Sequence, residues 1–584
     1  MDNAKTENKF FSAERKSRAL LSALVALSLS LILFIVAPLD IFGNNLEEFN
    51  FSFSDFALIL SLLAVANAVL VFCLLFFIPR KGYRVTLAIL IATGLLLVIQ
   101  QNFLNFNMTS LPGDNIASEL PVWQIVVDGI IWLGGYALAV YLVKRKDDKG
   151  RIKFTAVILA VMLFAMEFVS AFTVVISSPA LFTDKMDRMG DGFEVLTVKN
   201  YTDIAANNNV FYFVVDRFDE EYAEDAYTED KSVFNDLDGF TWYQDHTANY
   251  GHTFPGVANM LTNRVYTAEF SREEYLNEAY KGDIPLKTLS EKGYTVNLYT
   301  QPYYACTEAQ NLPAYVSNKG KVVSVKTAKK SLLSFKMAYY SLYRGLPLIF
   351  KKFLTVGSTA EMNSLTIFNG EIDGGIYEGY DSDTREAYRA INGKEITTAD
   401  SKKQFSFIHF EGCHDTEYDE TWGKSGTRNV VVSVKNSFAI IKKYIAAMKE
   451  KGVYENATII ITGDHSFAHN DFKNILEPRL TALFVKKSGD TGAFKTSKAQ
   501  TAHNDIWATI FDSEHIDKSG LGEGYKTSVF DISENTKRTR TMIWHTFSLD
   551  CDEYYWEING SGADFSNWIE IKDKYKHYQK FVMN

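Results

Sequence analysis

Several acids and imidazoles stand directly after apolar, β-type runs. Asp216 closes NNVFYFVVD (208–216). Asp464 and His465 follow ATIIIT (457–462) through Gly463. His414 follows QFSFIHF (404–410) through Glu411-Gly412-Cys413. Oxygen and imidazole donors gathered at neighbouring strand ends suit a divalent cation such as Zn or Mn. A fourth element, Thr253-Phe-Pro255-Gly-Val-Ala-Asn-Met-Leu-Thr262, reads as a helix entered at Thr253 with Pro255 in its first turn. A hydroxyl there faces the positive end of the helix dipole and free backbone N–H groups, which favours an alkoxide and a bound phosphate. A metal beside it lowers the hydroxyl pKa further and makes a nucleophile at neutral pH. Each piece also has a plain structural use: Thr as an N-cap, Asp as a turn residue.

Other groups near these positions divide in the same way. His414 and His503 are candidates to contact a phosphate or protonate a leaving oxygen. His469, four residues past His465, stands behind them. His409 alternates away from the strand-end site and is expected to be a satisfied core or surface histidine. His252, beside Thr253, is either a loop residue or a support for it. Asp219 is an alternative to Asp216, which is preferred because it ends the apolar strand.

The elements that must position these residues alternate between strand and helix. Strand patterns at 208–216, 295–300 (TVNLYT), 404–410, 457–464 and 481–487 (TALFVKK) are interleaved with helical patterns at 218–236, 272–292, 429–450 and 502–513. That order predicts βα units, a mostly parallel sheet with helices on both faces, and ligands at the carboxyl ends of the strands. The tail at 533–584 alternates aromatic positions around a turn and predicts a small antiparallel appendage serving as a structural cover. Residues 328–354 are basic, aromatic and amphipathic. They suit either a membrane surface or a helix covering the sheet, and the latter is preferred.

Ahead of this part stand five apolar runs, at about 19–38, 56–78, 84–100, 122–143 and 154–177. Each has the roughly 20 residues a bilayer-crossing helix needs. The N-terminal segment and the 79–84 and 144–153 connections together carry 14 Lys and Arg, while the alternate loops 39–55 and 102–121 carry none. The positive-inside rule then puts the N-terminus in the cytoplasm and everything after Ile176 outside. Asp128 and Glu167 lie within or near these helices and are costly there. The chain has 584 residues and a net charge of -10, split into +1 for residues 1–177 and -11 for the rest. An acidic external part repels phosphate backbones, so nucleic acid is excluded as a partner. Cys306, Cys413 and Cys551 lie outside the membrane part and allow at most one bridge.

These features together resemble the alkaline phosphatase/sulfatase superfamily, and with five preceding membrane helices they are similar to lipoteichoic acid synthase-like membrane-anchored transferases. Thr253-x-Pro255…Met260-Leu261-Thr262 resembles the sulfatase nucleophile motif, with Thr in place of a modified Cys or Ser. FVVDRF (213–218), ITGDHSF (461–467), FIHFEGCHD (407–415) and AHNDIWATIFD (502–512) resemble the first metal strand, the Asp-His metal pair, a Gly-x-His facing the substrate and a late helix near the phosphate. The synthases commonly have Glu where this chain has Asp216, which leaves transferase and hydrolase both open.

The resemblance implies a five-helix transmembrane domain at 1–177, a linker at 178–205, an external sulfatase-like α/β domain at 206–532 and a C-terminal β-rich appendage at 533–584. It implies one divalent ion (Mn, Zn or Mg) held by Asp216, Thr253, Asp464 and His465, with Thr253 the nucleophile and His414 and His503 on the substrate. The implied reaction moves a phospholipid headgroup, phosphoglycerol or similar, through a phospho-threonine onto an envelope polymer or glycolipid acceptor. The alternatives are a membrane-bound phosphodiesterase or sulfatase-like hydrolase, or a non-catalytic envelope-binding protein.

Overall fold

The structure is a computed structural model. It describes residues 2–46, 49–105, 121–145, 151–177, 179–183, 185, 193–267, 269–270, 272–305, 312–351, 353–354, 362–363, 365–414, 418–423, 425, 429–466, 469–471, 475–477, 479–545, 550–574 and 576–579. The chain forms two compact units. One comprises Met1–Gly190 with Thr327–Thr366, the other Asp191–Lys326 with Ile367–Asn584. The external domain expected as one run over 206–532 is therefore interrupted: residues 327–366 belong with the membrane helices. The 533–584 appendage shares a unit with the sheet. The stretch expected as a linker, 178–205, is structured in its second half, where Glu194–Leu196 and Asp203–Ala205 are strands.

Among the described residues of the first unit, five helices are long and apolar enough to cross a membrane: Arg15–Asn44, Ala57–Phe77, Gly82–Leu104, Val122–Lys144 and Phe154–Ile176. Leu21, Val25, Ile32, Leu75, Ile91, Leu96 and Trp132 pack between them. Leu62, Leu70, Phe77, Leu133 and Phe168 point outward and stay more than half exposed, as side chains facing lipid must. Buried Asp128 accepts a hydrogen bond from the backbone N–H of Leu348 at 2.9 Å. The helix Lys330–Gly345 packs here through Leu333, Met337, Tyr340 and Tyr343, against Phe42, Phe49, Phe51 and Phe56. The preferred expectation that it would cover the sheet is thus corrected. Its apolar stripe finds an aromatic surface, FNFSFSDF (49–56), that outcompetes the sheet.

The second unit is built on a seven-stranded sheet. In chain order its strands are β1 (Asn208–Val215), β2 (Phe240–Thr247), β3 (Thr295–Tyr299), β4 (Lys403–Phe410), β5 (Thr458–Thr462), β6 (Leu483–Lys486) and β7 (Lys495–Ala502). Their spatial order is β7-β2-β6-β5-β1-β4-β3. β5, β1, β4 and β3 are mutually parallel. β6 runs against both neighbours, and β7 lies parallel to β2. Six of the seven strands therefore end at one edge. The central strands β1, β4, β5 and β6 are buried along most of their length on both faces, as a sheet covered on both sides requires. Val210, Tyr212, Val214, Phe407 and Ile460 meet the helices Thr253–Thr262, Pro285–Glu291 and Ile506–Ser513. Phe211, Phe213, Ile408, Ile459 and Ile461 meet Glu220–Glu229, Thr384–Ile391 and Val430–Glu450. The appendage is a four-stranded antiparallel sheet centred on Asp550–Asn559.

Candidate functional site

Strand register brings the site together. His409 on β4 and Thr462 on β5 both pair with Val214 of β1. In a parallel sheet, residues in register share a face, and so does each residue two further on. Asp216 lies two past Val214 and Asp464 two past Thr462, so both join His409 on that face. Ligand atoms of Asp216, His409 and Asp464 lie within 4.8 Å of one another, and all three residues are buried. His409 was expected to face away. It belongs to the cluster, because the pairing with Val214 fixes its side.

Thr253 completes the group. Its Oγ1 donates to Asp216 Oδ2 at 3.3 Å and lies 3.2 Å from His465 Nε2. Phe254 is extended (φ -102°, ψ 124°), so the regular helix begins beyond it and not at Thr253 itself. The backbone N–H of Gly256 reaches back to the His252 carbonyl at 3.1 Å. A Cβ on Gly256 would stand 3.2 Å from the Asp464 carbonyl oxygen, so this turn is closely packed on the Asp464 backbone. Asp464 Oδ1 accepts from the backbone N–H of Arg217 at 3.0 Å.

The donor chemistry fits a metal ion. Asp216 Oδ1, His409 Nε2 and Asp464 Oδ2 are buried and lack a hydrogen-bond partner among the described residues. Such atoms are costly to bury unless something else satisfies them. His409 Nδ1 is engaged by Thr300 Oγ1 at 3.1 Å, and His465 Nδ1 donates to the Ser466 carbonyl at 2.8 Å. A second bond of that kind fixes the ring and leaves Nε2 as the ligating nitrogen. Electrostatics point the same way. Burial disfavours a charged His465, but Asp464 and the bonds and charge of Asp216 outweigh it and raise the ring to about 9. Burial pushes the Asp216 carboxyl up, yet the charge of His414 and the nearby His409 and His465 rings, 3.7 and 3.5 Å away, hold it well below the usual carboxylate range. Two buried carboxylates draw positive charge into the site, and a divalent cation meets that demand.

The remaining expected residues are placed less centrally. His414 is half-buried and acts on Asp216 through its charge. His503 is buried, and its Nε2 donates to the Gly463 carbonyl at 3.0 Å. Burial holds its ring neutral, down at about 3, with the Gly463 bond opposing and His465 adding to the shift. Asp219 precedes the helix Glu220–Glu229 and lies outside the three-residue group. His469 opens a short strand, His469–Asp471, and its side chain is outside the described residues. Cys73 is a free thiol, and Cys413 is buried. Cys306 is outside the described residues, as is the side chain of Cys551.

Two aromatic groups enter that no strand-end pattern signals. Tyr304 packs its ring 5.7 Å from that of His409. Burial and the charges of Asp216 and Asp464 keep its hydroxyl protonated. Trp544, from the appendage, lies 4.6 Å from the His252 ring, which is itself 6.2 Å from that of His465. The appendage is thus more than a cover: Ile543 donates its N–H to Asn249 at 2.8 Å, and Gly251 donates to Ile543 at 3.2 Å, beside the Thr253 turn.

The family model for sulfatase matches residues 208–513. No curated protein sequence matches the chain. Among solved structures, the chain is similar to an alkaline phosphatase superfamily protein from Vibrio parahaemolyticus (10% identity, 65% of this chain and 84% of that one, TM-score 0.33). It is similar to the lipoteichoic acid synthase LtaP from Listeria monocytogenes (11% identity, 61% and 85%, TM-score 0.34). It is also similar to a phosphonate monoester hydrolase from Silicibacter pomeroyi (12% identity, 62% and 88%, TM-score 0.32).

Proposed function

We infer the activity from one premise: the chain belongs to the sulfatase family. We propose that it is a membrane-anchored, metal-dependent phosphotransferase. It takes a phospholipid headgroup, phosphoglycerol or similar, onto Thr253 and passes it to a hydroxyl of an envelope polymer or glycolipid. The N-terminus is cytoplasmic and the site lies outside. The observation that carries this reading is the Thr253 hydroxyl, 3.3 Å from Asp216 and 3.2 Å from His465 beside three unsatisfied buried ligand atoms.

Asp216, Thr253, Asp464 and His465, with His409 added by the geometry, would hold one divalent ion (Mn, Zn or Mg), which when bound supplies charge stabilisation to a phosphoryl group. The chain's own groups do the rest. Ionised Asp216 accepts the Thr253 hydrogen bond and turns the oxygen lone pairs toward the phosphorus, and the hydroxyl proton passes to water. Thr253 Oγ1 forms the new P–O bond as the bond to the diacylglycerol oxygen breaks, and His414 is the candidate to protonate that oxygen. The acceptor hydroxyl then displaces Thr253 in a second in-line step. Positioning and electrostatics account for most of the barrier lowering in such transfers. His503 is proposed on the substrate side, with its Nε2 held by Gly463.

The test is mass spectrometry of full-length protein stopped during turnover of phosphatidylglycerol vesicles. A glycerophosphoryl adduct on Thr253 and free diacylglycerol are expected. Turnover without any adduct on Thr253, or undiminished turnover by Thr253→Ala, overturns the nucleophile. Release of the headgroup to water alone, with no acceptor modified, assigns the hydrolase reading instead.

A further inference from the structure

The helix Lys330–Gly345 exposes the wrong kind of face for a helix in water. Leu332, Phe335 and Leu342 are 43%, 58% and 46% exposed, and their spacing of three and seven aligns them on one stripe. The opposite stripe, Leu333, Met337, Tyr340 and Tyr343, is buried. Ile349, Phe350 and Phe353 extend the exposed apolar surface past the helix. A helix apolar on both faces marks a second apolar surrounding.

The anchors of this helix say what that surrounding is. Lys330 pairs with Asp55 at 3.2 Å, and Ser334 Oγ donates to the Phe56 carbonyl at 3.4 Å. Arg344 pairs with Asp40 at 2.6 Å, and Asn105 Nδ2 donates to the Arg344 carbonyl at 3.1 Å. Asp40 lies in the last turns of the first long apolar helix, Phe56 immediately precedes the second, and Asn105 immediately follows the third. The helix therefore lies across the one end where these three meet, level with the exposed Phe103. Residues 329–354 also carry six Lys and Arg and no Asp or Glu; Lys330 and Arg344 are the two paired above and Lys351 is buried, so the cations for the headgroup level are Lys329, Lys336 and Lys352. Cations beside an apolar aromatic face complement anionic lipid headgroups above acyl chains.

We propose that residues 330–353 are an interfacial membrane segment, with the Leu332, Phe335 and Leu342 stripe and the Ile349, Phe350 and Phe353 turn seated in a leaflet of anionic phospholipid. This rests on the five long helices crossing the bilayer and is independent of the phosphotransfer reading. The segment interrupts the external unit between the strands Lys319–Ala328 and Thr366–Ile372.

Full-length protein in phosphatidylglycerol and phosphatidylcholine vesicles, photolysed with an apolar aryl diazirine and mapped by mass spectrometry, tests the proposal. Adducts are expected on Leu332, Phe335, Leu342, Phe350 and Phe353, as on Phe103, and none above background on Leu333 and Met337. Labelled Phe103 with an unlabelled stripe overturns it, as does equal labelling of both helix faces. An unlabelled stripe together with a dimer mass in native spectrometry gives the face to a second copy. Labelling reads no turnover, so loss of the enzymatic reading leaves the outcome intact.

Discussion

Glu220 lies four residues past Asp216, and its carboxyl is buried against Trp242. Its Oε2 accepts from Trp242 Nε1 at 2.9 Å, and its Oε1 is buried with no hydrogen-bond partner. Burial raises its carboxyl; the Trp242 bond opposes this, and the charges of Glu224 and Asp245 add to it, giving about 8 against an ordinary 4.5. Between those two values the folded state binds more protons than the unfolded chain. Stability therefore falls as pH rises through that window, and the loss is complete above about 8. A displacement of some three to four pH units corresponds at most to about 4–5 kcal/mol at 1.36 kcal/mol per unit. Glu220→Gln keeps an acceptor for Trp242 and carries no charge. It is expected to unfold at the same temperature as the parent near pH 5 and several degrees higher at pH 9. The assay is thermal unfolding of full-length protein in mild detergent, followed by tryptophan fluorescence across pH. Parallel curves for parent and variant, with no gap opening between pH 5 and 9, would refute the assignment of a neutral Glu220.

Thr253→Ala is expected to lower turnover by about 10³-fold or more and to abolish the adduct, with Thr253→Ser retaining part of both; steady-state kinetics on vesicles reads this. His409→Leu is expected to weaken metal retention by roughly 10–100-fold, measured as metal content after dialysis against a graded chelator, while an unchanged titration would return His409 to the core. Gly463→Ala places a Cβ 2.9 Å from the Phe218 backbone and 2.8 Å from Thr481 Cγ2. It is expected to cost about 1–3 kcal/mol and to shift Asp464, visible together as a lower unfolding temperature and a higher KM.

The long apolar helices and the acids at strand ends were legible because apolar period and strand-end position are local properties. His409 was not. Its side is set by pairing with Val214, a residue 195 positions earlier, and no local pattern carries that register. β2 and β7 were missed for a related reason. FTWYQDHT and KTSKAQTA hold too many polar residues to read as sheet. Asp245 of β2 is satisfied by Arg540, at 2.8 Å, and by the Gly562 N–H, at 2.9 Å, both from the distant appendage. Trp544 likewise reaches the Thr253 turn from nearly three hundred residues downstream. The amphipathic pattern at 330–345 was visible, but which stripe faces protein depends on the aromatic run at 49–56.

The division of the chain has a practical edge. The sheet-bearing unit is assembled from Asp191–Lys326 and Ile367–Asn584, and the polypeptide leaves it between them to fold with the apolar helices. A cut near residue 190 would not release a water-soluble enzyme. The fragment 191–584 would keep Leu333, Met337, Tyr340 and Tyr343 with their aromatic partners gone, and is expected to aggregate. A cut near residue 190 combined with replacement of 327–366 by a short polar loop is expected to yield the sheet-bearing unit in a tractable form. By the same logic a ribosome must hand β4 to β7 to a fold whose first three strands wait while residues 327–366 fold with the apolar helices.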